Sequence, residues 1–194
     1  MLFEEMFPIQ ISIILLVSIV VIVFSWRFYT FRIRPNAEIY KLPSIVVVGP
    51  RTTGKTSIVK KLTGLDSPSH IVDGKLSYSS YLGPKRLQFI DSHFPVGKIN
   101  KNNVGELKRL NSRSLLYIFD VSPTSLDMES QINGYQKLTN IFGDTRVIPV
   151  ANKLEIKDNK KMKTLKSRVK HIKKVYFSRE DGLDELKSSI YSSK

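Results

Sequence analysis

Residues 49–56, Gly-Pro-Arg-Thr-Thr-Gly-Lys-Thr, have the types and spacing that grip a polyphosphate. Gly49 and Gly54 let the backbone turn sharply enough for amide N–H groups to converge on phosphate oxygens. Pro50, Arg51, Thr52 and Thr53 form the loop between them, and Ser57 carries it into the next element. Lys55 adds a point charge for the terminal phosphates, and the Thr56 hydroxyl is a hard oxygen donor suited to Mg²⁺. A helix beginning here would aim the positive end of its dipole at the same anion. The pattern is short, and its flanks give it weight. Ile45–Val48 is an unbroken apolar run of the buried-strand kind, and Ile58, Val59, Leu62 and Leu65 recur at helical spacing. Strand, loop and helix in that order predict a real phosphate site.

The elements that position this loop follow the same alternation. Leu76–Leu82 and Arg86–Asp91 read as a hairpin turned at Gly83-Pro84, and Ser114–Val121 is a further apolar strand. Met128, Ile132, Tyr135, Leu138 and Phe142 fall at helix spacing, followed by a strand over Arg146–Asn152. Met162, Leu165, Val169 and Ile172 mark another helix, Val175–Ser178 a last strand, and Leu183, Leu186 and Ile190 a last helix. Strands separated by helices predict an α/β fold with a mostly parallel sheet covered on both faces.

The chain begins differently. Ile9 to Trp26 holds no charge and, as a helix, reaches about 27 Å, close to the ~30 Å of a hydrocarbon core. Acidic Glu4 and Glu5 precede it and bulky residues come after it, which argues for a retained anchor rather than a cleaved signal. Arg27, Arg32 and Arg34 lie just beyond the run, so the positive-inside rule puts everything after it in the cytosol. The predicted organisation is a lumenal tail over 1–8, one transmembrane helix over 9–26, a cytosolic linker over 27–43 and a globular domain over 44–194. Across all 194 residues there are no cysteines, which excludes disulfides and thiolate chemistry. The formal charge of +14 fits either an acidic partner or a merely solvated lysine-rich surface.

Ala151-Asn152-Lys153-Leu154-Glu155, at the end of the fifth predicted strand, resembles the N-K-x-D element of the small GTPases. The resemblance implies that Asn152 bonds the purine edge and fixes the loop, that the Lys153 stem packs over the ring, and that Glu155 stands in for the guanine-reading Asp. Ser178 occupies the place of the family's last nucleotide element. With one N-terminal span added, the chain resembles the signal recognition particle receptor beta subunits, relatives of the Arf and Sar GTPases. That likeness implies GTP and Mg²⁺ as ligands and a place in the endoplasmic reticulum membrane. It also implies GTP-dependent docking of the receptor's alpha subunit through switch segments Leu65–Gly74 and Ser92–Gly105. Two other readings stay open: an Arf-like trafficking GTPase, and a membrane adaptor whose fold no longer needs nucleotide.

Hydrolysis looks weak or partner-assisted. In the small GTPases an Asp-x-x-Gly element reaches Mg²⁺ through water, and a Gln often orients the attacking water. Asp91 stands where that Asp belongs, but Ser92-His93-Phe94-Pro95 comes next, without the glycine and without a Gln. No threonine lies between Gly64 and Asp91 to close over the metal, and His93 is the weak candidate for handling a water. Finally, Lys157–Lys174 carries nine Lys or Arg against one Asp, read as a basic amphipathic helix. It suits ribosomal RNA or acidic lipid, or is a solvated face. It lacks aromatic side chains for stacking on bases, and no sequence-specific nucleic-acid binding is expected.

Overall fold

The computed structural model describes residues 16–25, 42–72, 77–92, 101–110, 112–174 and 182–192. The chain divides into two units, Met1–Lys41 and Leu42–Lys194. In the first, residues 16–25 are helical, and the large apolar side chains from Leu16 to Phe24 are 47–73% exposed. They belong to the predicted span, whose other residues lie outside the described ones. Among the described residues no helix is long and apolar enough to cross a membrane.

The second unit alternates in chain order: β1 (Ser44–Val48), α1 (Lys55–Thr63), β2 (His70–Val72), β3 (Tyr78–Leu82), β4 (Gln88–Ser92), α2 (Lys101–Arg109), β5 (Ser112–Asp120), α3 (Met128–Phe142), β6 (Val147–Asn152), α4 (Asn159–Arg168), β7 (Lys173–Lys174) and α5 (Leu183–Ser192). The strands form one sheet in the order β2-β3-β4-β1-β5-β6-β7. β1 pairs in parallel with β4 and β5, β5 with β6, and β6 with β7; only β3 runs against the rest. The predicted mostly parallel α/β sheet is therefore present.

Period-two alternation divides the core between the faces. Ile45, Val47, Leu116 and Ile118 share one cluster with Ile58 and Leu62 of α1 and Leu186 and Ile190 of α5. The alternate residues Tyr117 and Phe119 meet Tyr135 of α3, with ring centroids 5.7 and 5.6 Å apart. Both faces are thus covered, which is why β1 and β5 are apolar almost without interruption.

Sequence and structure differ in four places. β2 lies within the first switch segment, and α2 begins within the second and continues beyond it. Val104, Leu107 and Leu110 recur at a spacing of three, a signal for α2, and Leu107 and Leu110 are buried. The last strand begins at Lys173, ahead of the predicted Val175–Ser178, which falls outside the described residues. An edge strand tolerates lysines, so apolar content does not mark it. The predicted helix through Ile172 ends at Arg168, because Val169 is extended (φ −124°) and His171 has φ 55°. That turn brings Lys173 beside Val150 of β6.

Leu116, fully buried on central β5, anchors this core. Leu116→Ala should cost roughly 2–5 kcal/mol. A thermal melt of the full chain should fall by about 4–20 °C, and a shift under about 2 °C would show that the core is not organised around β5.

Candidate nucleotide-binding site

β1 lies between β4 and β5, so the chain leaves it toward both halves of the sheet. Crevices at the carboxyl ends of strands at such a switch point are where ligands bind in open α/β sheets. The loop after β1 is shaped by its neighbours. Gly49 has φ 152°, and a Cβ there would stand 2.6 Å from the Ile118 carbonyl oxygen of β5. Only glycine fits that approach. Thr52 (φ 63°) and Gly54 (φ 82°) complete the turn, and the Thr53 hydroxyl donates to the Pro50 carbonyl at 3.0 Å. α1 then starts without a side-chain cap, and the Ile58 N–H bonds back to the Gly54 carbonyl at 3.0 Å. The N–H groups of Lys55, Thr56 and Ser57 have no partner within the helix and face its amino-terminal end, the arrangement that favours an anion.

A cavity of about 480 Å³ opens here, lined by Arg51, Thr52, Gly54, Lys55, Thr56, Ser57 and Asp91. The Lys55 ammonium is buried and donates to the Gly49 and Pro50 carbonyls at 3.2 and 2.8 Å. Burial lowers its pKa from the ordinary lysine value; Asp91 opposes the shift and Arg51 reinforces it. The register Val47↔Asp91 sets Asp91 beside the strand that feeds the loop. There the Thr56 hydroxyl donates to Asp91 Oδ2. Asp91 Oδ1 is buried and has no hydrogen-bond partner among the described residues. A hydroxyl beside a carboxylate with an open oxygen is a hard oxygen seat that fits Mg²⁺. Among the described residues no group of three or more His, Cys, Asp or Glu could hold a metal alone. A cation here would complete its shell with phosphate oxygens and water.

The segment expected to read a base is joined to this loop. Asn152, fully buried at the end of β6, donates its amide to the Thr53 carbonyl at 2.8 Å. Lys153 has φ 61° and binds Asp120 of β5, Nζ to Oδ2, at 2.6 Å. Glu155 is exposed on a 3₁₀ turn at Leu154–Ile156 and does not line the phosphate cavity. Ser178 and His93 lie outside the described residues. Sequence reading missed Asp120, although a lone acid ending an otherwise apolar strand is a recognisable sign. It also missed Gln131, whose side-chain amide brackets the Asp120 main chain at 2.9 and 3.0 Å. Lys161, counted as part of a basic face, instead gives its ammonium to the Ser122 and Ser125 carbonyls at 3.0 and 2.9 Å.

Among solved structures, the chain is similar to a protein named nucleolar GTP-binding protein 1 from Plasmodium falciparum (17% identity, 75% of this chain and 82% of that one, TM-score 0.53). It is also similar to the G domain of the T. maritima FeoB iron transporter (15%, 77% and 96%, TM-score 0.51). A third is the bacterial selenocysteine-specific elongation factor EF-Sec (20%, 77% and 28%, TM-score 0.51). No protein-family model matches the chain, and no curated protein sequence does. The second unit therefore has the fold of P-loop GTPases.

Asp91→Asn tests the metal seat. Losing a charge-assisted contact costs about 1.5–3 kcal/mol. Nucleoside triphosphate affinity in Mg²⁺ should fall by about 10- to 150-fold, while affinity in EDTA stays within about twofold. An equal loss in both buffers would assign Asp91 to the fold alone.

Proposed function

We propose that this protein binds GTP with Mg²⁺ and acts as a membrane-anchored docking subunit rather than a fast hydrolase. The observation that carries the nucleotide reading is the Asn152–Thr53 bond, which ties the base element to the phosphate loop. Gly49 to Ser57 hold the phosphates through main-chain amides, and Lys55 exchanges its loop carbonyls for phosphate oxygens. Thr56 and Asp91 would hold Mg²⁺, which supplies neutralising charge beside the terminal phosphates when bound. Asn152, Lys153 and Glu155 read the base. Glu155 is one methylene longer than the usual Asp and still accepts the paired N–H donors of guanine. Ser178 completes the base pocket in this reading.

Slow hydrolysis is a consequence of the residues after Asp91. Ser92 is still in β4, buried, with its hydroxyl on the Val47 carbonyl at 2.8 Å. Next come His93-Phe94-Pro95 instead of the Gly and Gln that position a water. The finer identity is a signal recognition particle receptor beta subunit of the endoplasmic reticulum membrane, with the receptor's alpha subunit as partner. It is supported by the order of one apolar run, a short linker and a GTPase fold. The exposed apolar helix over 16–25 agrees with a lipid setting, since folding leaves that surface uncovered. The basic segment adds a contact for ribosomal RNA or acidic headgroups. Lys157, Lys160, Lys163, Lys166, Lys170 and Lys174 are exposed and form no ion pair among the described residues.

Capture of the receptor's alpha subunit by the detergent-solubilised full chain tests this. It should rise about tenfold with a non-hydrolysable GTP analogue and stay at background for Lys55→Ala, a difference of about 1.4 kcal/mol. Single-turnover hydrolysis by the same preparation should be slow. Capture indifferent to the analogue would reduce the protein to a scaffold, and rapid turnover would show that another group orients the water.

A further inference from the structure

We infer that Asp120 is a positioning residue for the nucleotide base, holding Lys153 in place before any ligand arrives. The inference rests on the proposed GTP site and deepens it. Asp120 closes β5 directly opposite Asn152 of β6. Its carboxylate is 2% exposed, and both oxygens are engaged. Oδ1 accepts from the Ser122 N–H at 2.9 Å and the Ser122 hydroxyl at 2.6 Å, and Oδ2 accepts from Lys153 Nζ at 2.6 Å.

The groups around this carboxylate are fixed in turn. Gln131, fully buried on α3, takes the Asp120 N–H on its amide oxygen and donates its amide nitrogen to the Asp120 carbonyl. Tyr117 donates its hydroxyl to the Gln131 carbonyl at 2.7 Å. From the other side Lys161 gathers the Ser122, Pro123 and Ser125 carbonyls at 2.9–3.1 Å, so the loop that presents Ser122 is clamped to α4. α3 thus fixes the Asp120 main chain, α4 fixes the loop that presents Ser122 to its carboxylate, and the outcome is the orientation of Lys153.

Lysine carries about 2 kcal/mol of rotamer entropy, much of which an untethered side chain would lose when a base settles against it. With its ammonium pinned, the Lys153 stem is a fixed apolar shelf next to Asn152. The ordering is done at folding and not at binding, which is how preorganisation raises affinity. An ion pair serving the fold alone would leave ligand selectivity untouched, and that difference can be measured.

The probes are GTP and inorganic tripolyphosphate, which has the phosphates and no base. In the full chain, Asp120→Asn removes the charge that holds Lys153 and keeps the side-chain shape. GTP affinity should fall about tenfold through faster release, while tripolyphosphate affinity stays within about twofold. If Asp120→Asn fails to fold, Lys161→Met loosens the same support from outside and should give the same split at about threefold. Equal losses for both probes, or no loss for either, would overturn the role of Asp120 and leave the GTP site standing. A wild-type protein that binds neither probe would overturn the GTP reading and this inference with it.

Discussion

One hydrogen bond, from the Asn152 amide to the Thr53 carbonyl, joins loops whose residues lie 99 positions apart in the chain. Its length is set by the sheet. Val48 pairs with Tyr117 and Asn152 with Asp120, so β6 runs three residues, about 10 Å, further along β5 than β1, and the loop after β1 rises to meet it. Side chains alternate faces along a strand, and a slip of one residue in β6 would turn Asn152 away from the loop. In the proposed reading, the grip on phosphate and the reading of a base are therefore geometrically coupled, through the register of buried apolar strands.

The loops themselves are held in conformations that most residues avoid. Thr52 and Lys153 both have positive φ, at roughly 1–3 kcal/mol each for a non-glycine residue. Such geometry persists only where the surroundings leave no alternative. Around Thr52 these are the Thr53–Pro50 bond, the Asn152–Thr53 bond and the Gly49 contact with β5. Around Lys153 the Asp120 ion pair does the same. A stiff frame is also what allows α1 to begin without a cap, its open N–H groups kept in a concave, partly buried setting.

How much of this the sequence disclosed depends on the range over which each feature is encoded. The phosphate loop, the hairpin of β3 and β4 and the helices α1, α3 and α5 were legible, because each is written in contiguous residues or a local period. Asp91 was legible through its place at a strand end, and its neighbour Thr56 through the loop pattern. Asp120, Gln131 and Lys161 were not legible. Their roles arise from contacts across 11 to 39 positions between different elements, which no local periodicity records. The basic helix shows the converse. Nine cations look alike in a string, yet Lys161 is spent on loop carbonyls and Lys173 on Glu185 at 2.9 Å. Val169 then ends the helix early, because the chain must turn to lay β7 beside β6.

Strand order also bears on how a docking subunit of the proposed kind could keep its contacts separate. β2, fed by the segment Leu65–Gly74, forms one edge of the sheet, and β7, reached through α4, forms the other. The phosphate loop emerges between them, from β1. A partner engaged through the β2 side would meet the edge next to β3, which pairs Ser79 with Asp91. Headgroups or RNA engaged through the α4 lysines would meet the opposite edge. Contact at the second edge is electrostatic and screened within about 8 Å at physiological salt, so it need not disturb the first. Lys161 ties α4 to the Lys153 side of the site: it belongs to α4 and yet clamps the loop that presents Ser122 to Asp120.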